Sequence, residues 1–405
     1  MPLDVLRSAK SDLSKHVAKN DIFSDKAFLS ELEKIASEKG MRKEDALTMC
    51  YIYLDKIAAK FGDNKFVWNL IKFFVRKKII ERFDIIYSNK EVLRDIPALM
   101  KDNLIAIVPN HKSIFDFMVI PYYIVAEGNY MPIILAADVF DKFPLGQIFR
   151  RLGAYFVQRE SKDALYTLIF SHYVMRILKY ELIHMFFIEG GRNKSGGYSA
   201  PKTGLLYYIL QGKKRFNNKK DLLFIPVSIS YDYVPESKVV IAENLTGTKK
   251  NIFRSVAKYG SGKKLGNCYL RFNEPIKLSE IAKNSISETE IVNTLADRIM
   301  SSIKDNIIVS PVTLACYTVN SLTKTIPVEI SLEEFSAKYK EHLAHLKKIQ
   351  KDTSNINLDD IEKYLMFASD FRIILYDKYA KNISVLFESK PLIEYYSNGI
   401  AHFFG

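Results

Sequence analysis

Between about residues 103 and 273, short apolar runs alternate with amphipathic segments, and this alternation constrains the fold more than any other feature of the chain. Runs at 103–108, 131–136, 154–158, 184–188, 222–230 and 268–273 have the length and composition of strands. Segments with helical spacing lie between them at 114–126, 143–152, 161–180 and 203–213. Such alternation predicts an α/β fold, a largely parallel or mixed sheet flanked by helices.

Outside this region the pattern is helical. Residues 1–95 carry apolar positions at three- and four-residue spacing with no strong strand run. The capping box Ser287-Glu288-Thr289-Glu290 predicts a helix to about 304, and Ser331-Leu332-Glu333-Glu334 predicts another to about 350. The expected organisation is therefore a helical N-terminal region over 1–95, an α/β domain over 96–310 and a helical C-terminal region over 311–405.

Cys50, Cys268 and Cys316 are far apart, without metal or redox spacing, which suggests a reducing compartment. The first residues lack the basic start and apolar core of a signal peptide. The long uncharged stretch from 306 to 323 contains Pro311 and several polar residues, a poor membrane span. A net charge of +13 points to nucleic acid, an anionic membrane surface or phosphorylated substrates. Nucleic acid is disfavoured because no recognised binding motif is present. The aromatic segment 66–75, with Trp68 and Phe73 and a basic end at Arg76-Lys77-Lys78, suits either a lipid interface or a buried helix with snorkelling cations.

The chemistry-bearing residues follow strand runs. His111 and Asp116, separated by four residues, come directly after the first run. Imidazole titrates near neutrality and can accept a hydroxyl proton, while a carboxylate on its other nitrogen fixes the tautomer. Ser113 and Asp116 equally fit a capping box. A metal site is weaker, since one His and one carboxylate supply only two ligands. Arg159 ends the third run, and Glu189-Gly190-Gly191-Arg192 follows the fourth, leading through further glycines to Pro201-Lys202-Thr203-Gly204. Arg192 and Lys202 suit a phosphate, and Glu189 suits either a substrate hydroxyl or an ion pair to Arg192. A flexible surface loop is the plain alternative. In open α/β sheets, ligands bind beyond the carboxyl ends of strands, so these segments are candidates to converge.

Together the segments resemble the glycerolipid acyltransferases, most of all the glycerol-3-phosphate 1-O-acyltransferases. Val-Pro-Asn-His-Lys-Ser-Ile-Phe-Asp-Phe, Gly-Ala-Tyr-Phe-Val-Gln-Arg, Phe-Ile-Glu-Gly-Gly-Arg and Phe-Ile-Pro-Val look like that family's four blocks, in order. Arg271-Phe272-Asn273-Glu274-Pro275-Ile276 is similar to a later segment. Gln158, Asn193-Lys194 and Lys112 depart from the common pattern and leave the acceptor open.

The resemblance implies acyl transfer from acyl-CoA or acyl-acyl-carrier-protein to glycerol 3-phosphate. His111 would be the base and Asp116 its support, with Arg159, Arg192 and Lys202 on the phosphate and Glu189 and Gly190 at the hydroxyl end. It implies no metal or bound cofactor, and a peripheral enzyme on the cytoplasmic face of an anionic membrane. Dihydroxyacetone phosphate and lysophosphatidic acid remain alternative acceptors. A non-catalytic lipid-binding protein and a thioesterase remain rival readings.

Overall fold

Each of the six apolar runs becomes a strand of one sheet. The computed structural model describes residues 17–60, 73, 76–77, 80–128, 130–141, 145–159, 161–248, 264–283 and 285–405. Helices α1 (Val17–Phe23), α2 (Lys26–Glu38) and α3 (Lys43–Ile57) come first, followed by β1 (Asp84–Ser88) and α4 (Glu91–Asp102). The alternating region runs β2 (Asn103–Pro109), α5 (Asp116–Gly128), β3 (Ile133–Ala137), α6 (Leu145–Arg151), β4 (Ala154–Val157) and α7 (Ala164–Lys179). It continues through β5 (His184–Met185), α8 (Gly204–Arg215), β6 (Asp221–Tyr231), α9 (Ser237–Thr246) and β7 (Asn267–Phe272). Next come β8 (Ile276–Lys277), α10 (Leu278–Ala282) and α11 (Glu288–Asp305). The remainder comprises α12 (Pro311–Leu322), β9 (Val328–Ser331), α13 (Leu332–Lys348), α14 (Ile361–Asp370), β10 (Leu375–Asp377), β11 (Asn382–Val385) and α15 (Lys390–Ser397).

The sheet order is β1-β7-β6-β2-β5-β3-β4, with β8 also paired to β6. The β6–β7 and β6–β8 pairs are antiparallel, and the other pairs are parallel. Strand β2 therefore lies near the centre, buried on both faces. Its alternate side chains enter two different cores, as a period of two requires. Ile105 and Ile107 join α4, α5 and α12 on one face, whereas Leu104, Ala106 and Val108 join α7, α8 and α11 on the other. The four parallel strands β2, β5, β3 and β4 send their carboxyl ends to the same edge of the sheet.

Both predicted capping sequences cap. Ser287 Oγ accepts the Glu290 amide at 3.2 Å, and Ser331 Oγ accepts the Glu334 amide at 3.1 Å. The uncharged stretch becomes α12, a core helix whose N-cap Ser310 accepts the Val312 and Thr313 amides. Two expectations need correction. The stretch read as helical up to 95 contains β1, an edge strand paired in parallel with β7 from Asp84 opposite Asn267. The C-terminal region also holds a small antiparallel sheet in the order β10-β11-β9. These strands are only three to five residues long, too short for an alternation to stand out before their partners are known. Among the described residues, no helix is long and apolar enough to cross a membrane. Trp68 and most of the aromatic segment lie outside the described residues; Phe73 is exposed, with the Lys77 ammonium 5.3 Å from its ring centroid.

The N-terminal helices are fastened to α7 by charge as well as by apolar contact. Arg176 is almost wholly buried in α7, and it donates to Asp25 at 2.8 Å and to the Asp21 carbonyl at 2.9 Å. Arg215 of α8 donates to both Asp25 oxygens at 2.8 Å. Asp25 also caps α2 through the Ala27 amide at 3.0 Å. Burial works to raise its pKa, but the Arg215 and Arg176 hydrogen bonds outweigh burial and hold the carboxyl well below its usual range. Asp25→Ala removes an ion-pair partner and a cap together, so a loss of roughly 3 kcal/mol is expected at pH 7. Because the folded pKa is depressed, this contribution is complete above the unfolded value near 4 and is lost as pH falls below it. Denaturant titrations of both proteins should therefore diverge at pH 7 and converge toward pH 2.

Candidate active site

The site begins where β2 ends. Asn110, fully buried, donates through Nδ2 to the Ile229 carbonyl at 3.1 Å and accepts the Ile229 amide at 2.8 Å. Its side chain thus continues the β2–β6 pairing by one step and fixes the turn that follows. In that turn His111 Nδ1 lies 2.8 Å from Asp116 Oδ2. Asp116 is completely buried. Its Oδ2 also accepts the Lys112 and Ser113 amides at 2.7 and 2.9 Å, while Oδ1 accepts the Tyr231 hydroxyl at 2.6 Å. With a carboxylate against Nδ1, the neutral ring carries its proton there and leaves Nε2 as the lone-pair nitrogen. Nε2 has no hydrogen-bond partner among the described residues. Phe187 stacks on the ring at 4.2 Å between centroids, and Phe117 meets it edge-on at 5.3 Å.

The capping box at Ser113 forms in part: Asp116 Oδ2 accepts the Ser113 amide at 2.9 Å and Ser113 Oγ accepts the Phe115 amide at 3.2 Å. Helix α5 nevertheless starts at Asp116 itself, and the Ser113 hydroxyl donates to Glu236, 3.1 Å from each oxygen. Asp116 still receives amides of the preceding turn, so one carboxylate serves both backbone and imidazole. His184 in β5 is a useful contrast. Among the described residues it is buried without a carboxylate partner, it hydrogen-bonds to the Tyr155 hydroxyl at 2.7 Å, and burial pushes its pKa down to about 3. It belongs to the sheet interior.

The glycine turn after β5 brings the predicted cations together. Gly190 has φ +67°, a left-handed conformation that suits glycine, and a Cβ there would stand 2.9 Å from Lys202 Cγ. A Cβ on Gly191 would stand 3.0 Å from Arg159 Nη1. Arg159, from the end of β4, and Lys202, before α8, thus both lie against this turn. Neither side chain has a hydrogen-bond or ion-pair partner among the described residues. Desolvation lowers the Arg159 pKa, Asp138 opposes the shift and the nearby Arg192 charge adds to it. Unpaired cations beside an open glycine turn favour an anion there.

Glu189 has a different task from either one expected. Oε1 accepts the His111 amide at 3.0 Å and Oε2 accepts the Ser199 amide at 2.7 Å, so the buried carboxylate ties the histidine turn to the glycine loop. Arg192 pairs instead with Glu236, Nη1 to Oε1 at 3.3 Å. Glu236 is fully buried beyond β6, and it also accepts the Ile114 amide. Sequence reading missed Glu236, Asn110 and Tyr231. The rule that found the other groups, a polar residue just beyond a strand end, also covers Glu236. Residues 224–228, by contrast, lie wholly within β6, where the Ser228 hydroxyl donates to the Ile303 carbonyl at 2.8 Å. Among the described residues, no group of three or more His, Cys, Asp or Glu side chains is placed to hold a metal ion.

A family model described as Acyltransferase matches residues 84–230, and one described as glycerol-3-phosphate acyltransferase C-terminal region matches 248–405. The chain belongs to the glycerol-3-phosphate acyltransferase family. The glycerol-3-phosphate acyltransferase of Shewanella loihica is 31% identical over 317 residues, covering 71% of this chain and 37% of that protein. That of Shewanella baltica strain OS155 is 29% identical over 404 residues, covering 92% of this chain and 48% of that protein. The chain thus spans less than half the length of these two relatives. A solved 1-acyl-sn-glycerophosphate acyltransferase from Thermotoga maritima aligns at 17% identity over 71% of this chain and 94% of that one, with a TM-score of 0.38.

Glu236 anchors Ser113, Ile114 and Arg192 at once, so its charge should be needed for the site's shape. Glu236→Gln is expected to cost about 1.5–3 kcal/mol, the scale of a lost hydrogen bond to a charged group. Ser113→Ala should cost about 1 kcal/mol. Chemical denaturation of both variants checks the order; equal small losses would mean that the Arg192–Glu236 pair contributes nothing.

Proposed function

We propose that this chain transfers an acyl group from a thioester, acyl-CoA or acyl-acyl-carrier-protein, to the sn-1 hydroxyl of glycerol 3-phosphate, giving lysophosphatidic acid. The observation that carries this reading is the buried 2.8 Å contact between His111 Nδ1 and Asp116, with Nε2 left unpartnered among the described residues. Nε2 takes the acceptor hydroxyl proton as its oxygen attacks the thioester carbonyl. The tetrahedral intermediate collapses, the carbon–sulfur bond breaks, and the imidazolium returns the proton to the leaving thiolate. Asp116 stabilises the imidazolium while it exists. Arg159, Arg192 and Lys202 receive the acceptor phosphate beside the Gly190–Gly191 backbone. Glu189 holds this loop against the histidine turn. General-base assistance supplies about 10²–10⁴-fold, and holding both substrates supplies much of the rest. No metal or bound organic cofactor enters this proposal.

Purified protein with labelled glycerol 3-phosphate and each donor class tests the reading. His111→Ala should lower turnover by roughly 10²–10⁴-fold with little change in stability. Asp116→Asn should lower both, since the carboxylate also receives two backbone amides. Arg159→Ala and Lys202→Ala should raise KM for glycerol 3-phosphate about tenfold each while leaving the donor KM nearly unchanged. Thiol release that ignores added glycerol 3-phosphate would point to a thioesterase. Product only from dihydroxyacetone phosphate or lysophosphatidic acid would reassign the acceptor. A folded chain that turns over no donor would favour a lipid-binding role.

The product is amphiphilic and the donors carry long chains, so we place the enzyme at an anionic membrane surface on its cytoplasmic face. The +13 charge and the aromatic segment at Trp68 support this. Each basic residue near such a surface contributes about 1 kcal/mol, screened by salt. Co-sedimentation with anionic vesicles should weaken as salt rises, and Trp68→Ala with Phe73→Ala should reduce the salt-resistant part. Salt-insensitive partitioning, equal on neutral vesicles and unaffected by those substitutions, would place the segment in the core.

A further inference from the structure

The glycine loop that links Arg192 to Lys202 is held from outside by residues far away in sequence. Within the loop, Asn193 Oδ1 accepts the Ser195 amide at 2.8 Å, and Asn193 Nδ2 donates to Ser199 Oγ at 2.9 Å. These staples shape residues 193–199 but do not fix them to the rest of the molecule. Glu189 ties the loop at Ser199, and two further groups hold its middle. Lys112, next to the candidate base, buries its ammonium under the loop and donates to the Gly196 and Gly197 carbonyls at 2.8 and 2.7 Å. It also lies 4.2 Å from the Tyr198 ring centroid. On the other side is the end of α15. Asn398 Nδ2 donates to the Ser195 carbonyl at 2.9 Å, and Tyr198 meets His402 edge to face at 5.3 Å. Gly196 has φ +84°, and a Cβ there would fall 1.8 Å from the Tyr395 carbonyl oxygen, so loop and tail backbones touch directly.

The tail is itself anchored. Tyr396 accepts the Val234 amide at 2.9 Å, close in sequence to Glu236. His345 of α13 lies 2.9 Å from the Phe403 carbonyl, and Phe404 stacks on Tyr317 of α12 at 4.0 Å between centroids. A C-terminal region packed against α12 and α13 therefore meets a loop containing Gly196 and Gly197, whose backbone would otherwise have wide freedom.

We propose that Asn398 and Lys112 are positioning residues that clamp the 193–199 loop between the histidine turn and the C-terminal tail, and so set the distance between Arg192 and Lys202. The inference rests on the acceptor-phosphate reading of those cations. Neither Asn398 nor Lys112 touches the acceptor in this assignment. Both act through backbone carbonyls of the loop. Releasing the clamp leaves His111 and Asp116 hydrogen-bonded as before but lets the two cations drift apart, so acceptor binding suffers and donor binding does not.

The test uses the full chain with Asn398→Ala, a substitution at an exposed side chain, and Lys112→Met as a second, deeper cut. Amide hydrogen exchange reads the loop, and steady-state kinetics in both substrates read its consequence. In Asn398→Ala, exchange at residues 194–199 should quicken about tenfold while strand β2 keeps its protection. KM for glycerol 3-phosphate should rise about tenfold, with kcat and the donor KM within a factor of two. Lys112→Met should move the same quantities further. Asn398→Gln, which keeps a donor on a longer arm, should recover part of the loss. Unchanged exchange in both variants would overturn the clamp, as would quicker exchange with no change in the acceptor KM. A wild-type chain with no transfer to glycerol 3-phosphate would overturn the acceptor reading on its own, and the exchange data would still decide whether the tail holds the loop.

Discussion

Four hydrogen-bonding groups converge on the Asp116 carboxylate: the His111 ring, the Lys112 and Ser113 amides and the Tyr231 hydroxyl. A buried anion is costly unless its lone pairs are filled, and here they are. The same four contacts define the turn after β2, tie it to β6 through Tyr231 and orient the imidazole. Remove the carboxylate, and the turn, its link to the neighbouring strand and the ring geometry all lose their common partner. Burial and the adjacent Asp116 charge hold the Tyr231 hydroxyl pKa well above its ordinary value, so it stays a donor.

A second principle organises the rest of the site: the acids are used internally and part of the positive charge is left open. Glu189 spends both oxygens on backbone amides, and Glu236 spends its own on Ser113, Ile114 and Arg192. Arg159 and Lys202 lie against a glycine turn with no hydrogen-bond or ion-pair partner among the described residues, and Asp138 acts on Arg159 only at longer range. An anionic ligand would meet cations whose surroundings are already built, which lowers the ordering cost of binding.

What sequence could reveal follows the range of the forces involved. The six apolar runs were legible because strands packed between helical layers are apolar along most of their length. Likewise, His111 and Asp116 were legible because their pairing is local. The edge strand β1 and the small C-terminal sheet were not, since short strands take their identity from partners elsewhere. The task of Glu189 was equally hidden. Its amide partner at 111 meets it only after β2 and β5 have paired, and the one at 199 lies across a loop with no periodic pattern. Glu236 lay within reach of the strand-end rule, although its partners Ser113 and Arg192 are brought to it only by the fold.

The pairing of the central sheet has a kinetic consequence. Strand β2 is zipped to β6 with Asn103 opposite Asp221, and β1 to β7 with Asp84 opposite Asn267. Loop closure on this scale is paid before the contacts return anything, so folding of such a topology is slow. While a ribosome is still adding residue 220, β2 stands complete, apolar on both faces and without its longest partner. Nascent chains in that window present an unpaired edge of the kind that invites aggregation. The strand that leads into the histidine turn is thus also a segment that needs shelter during synthesis.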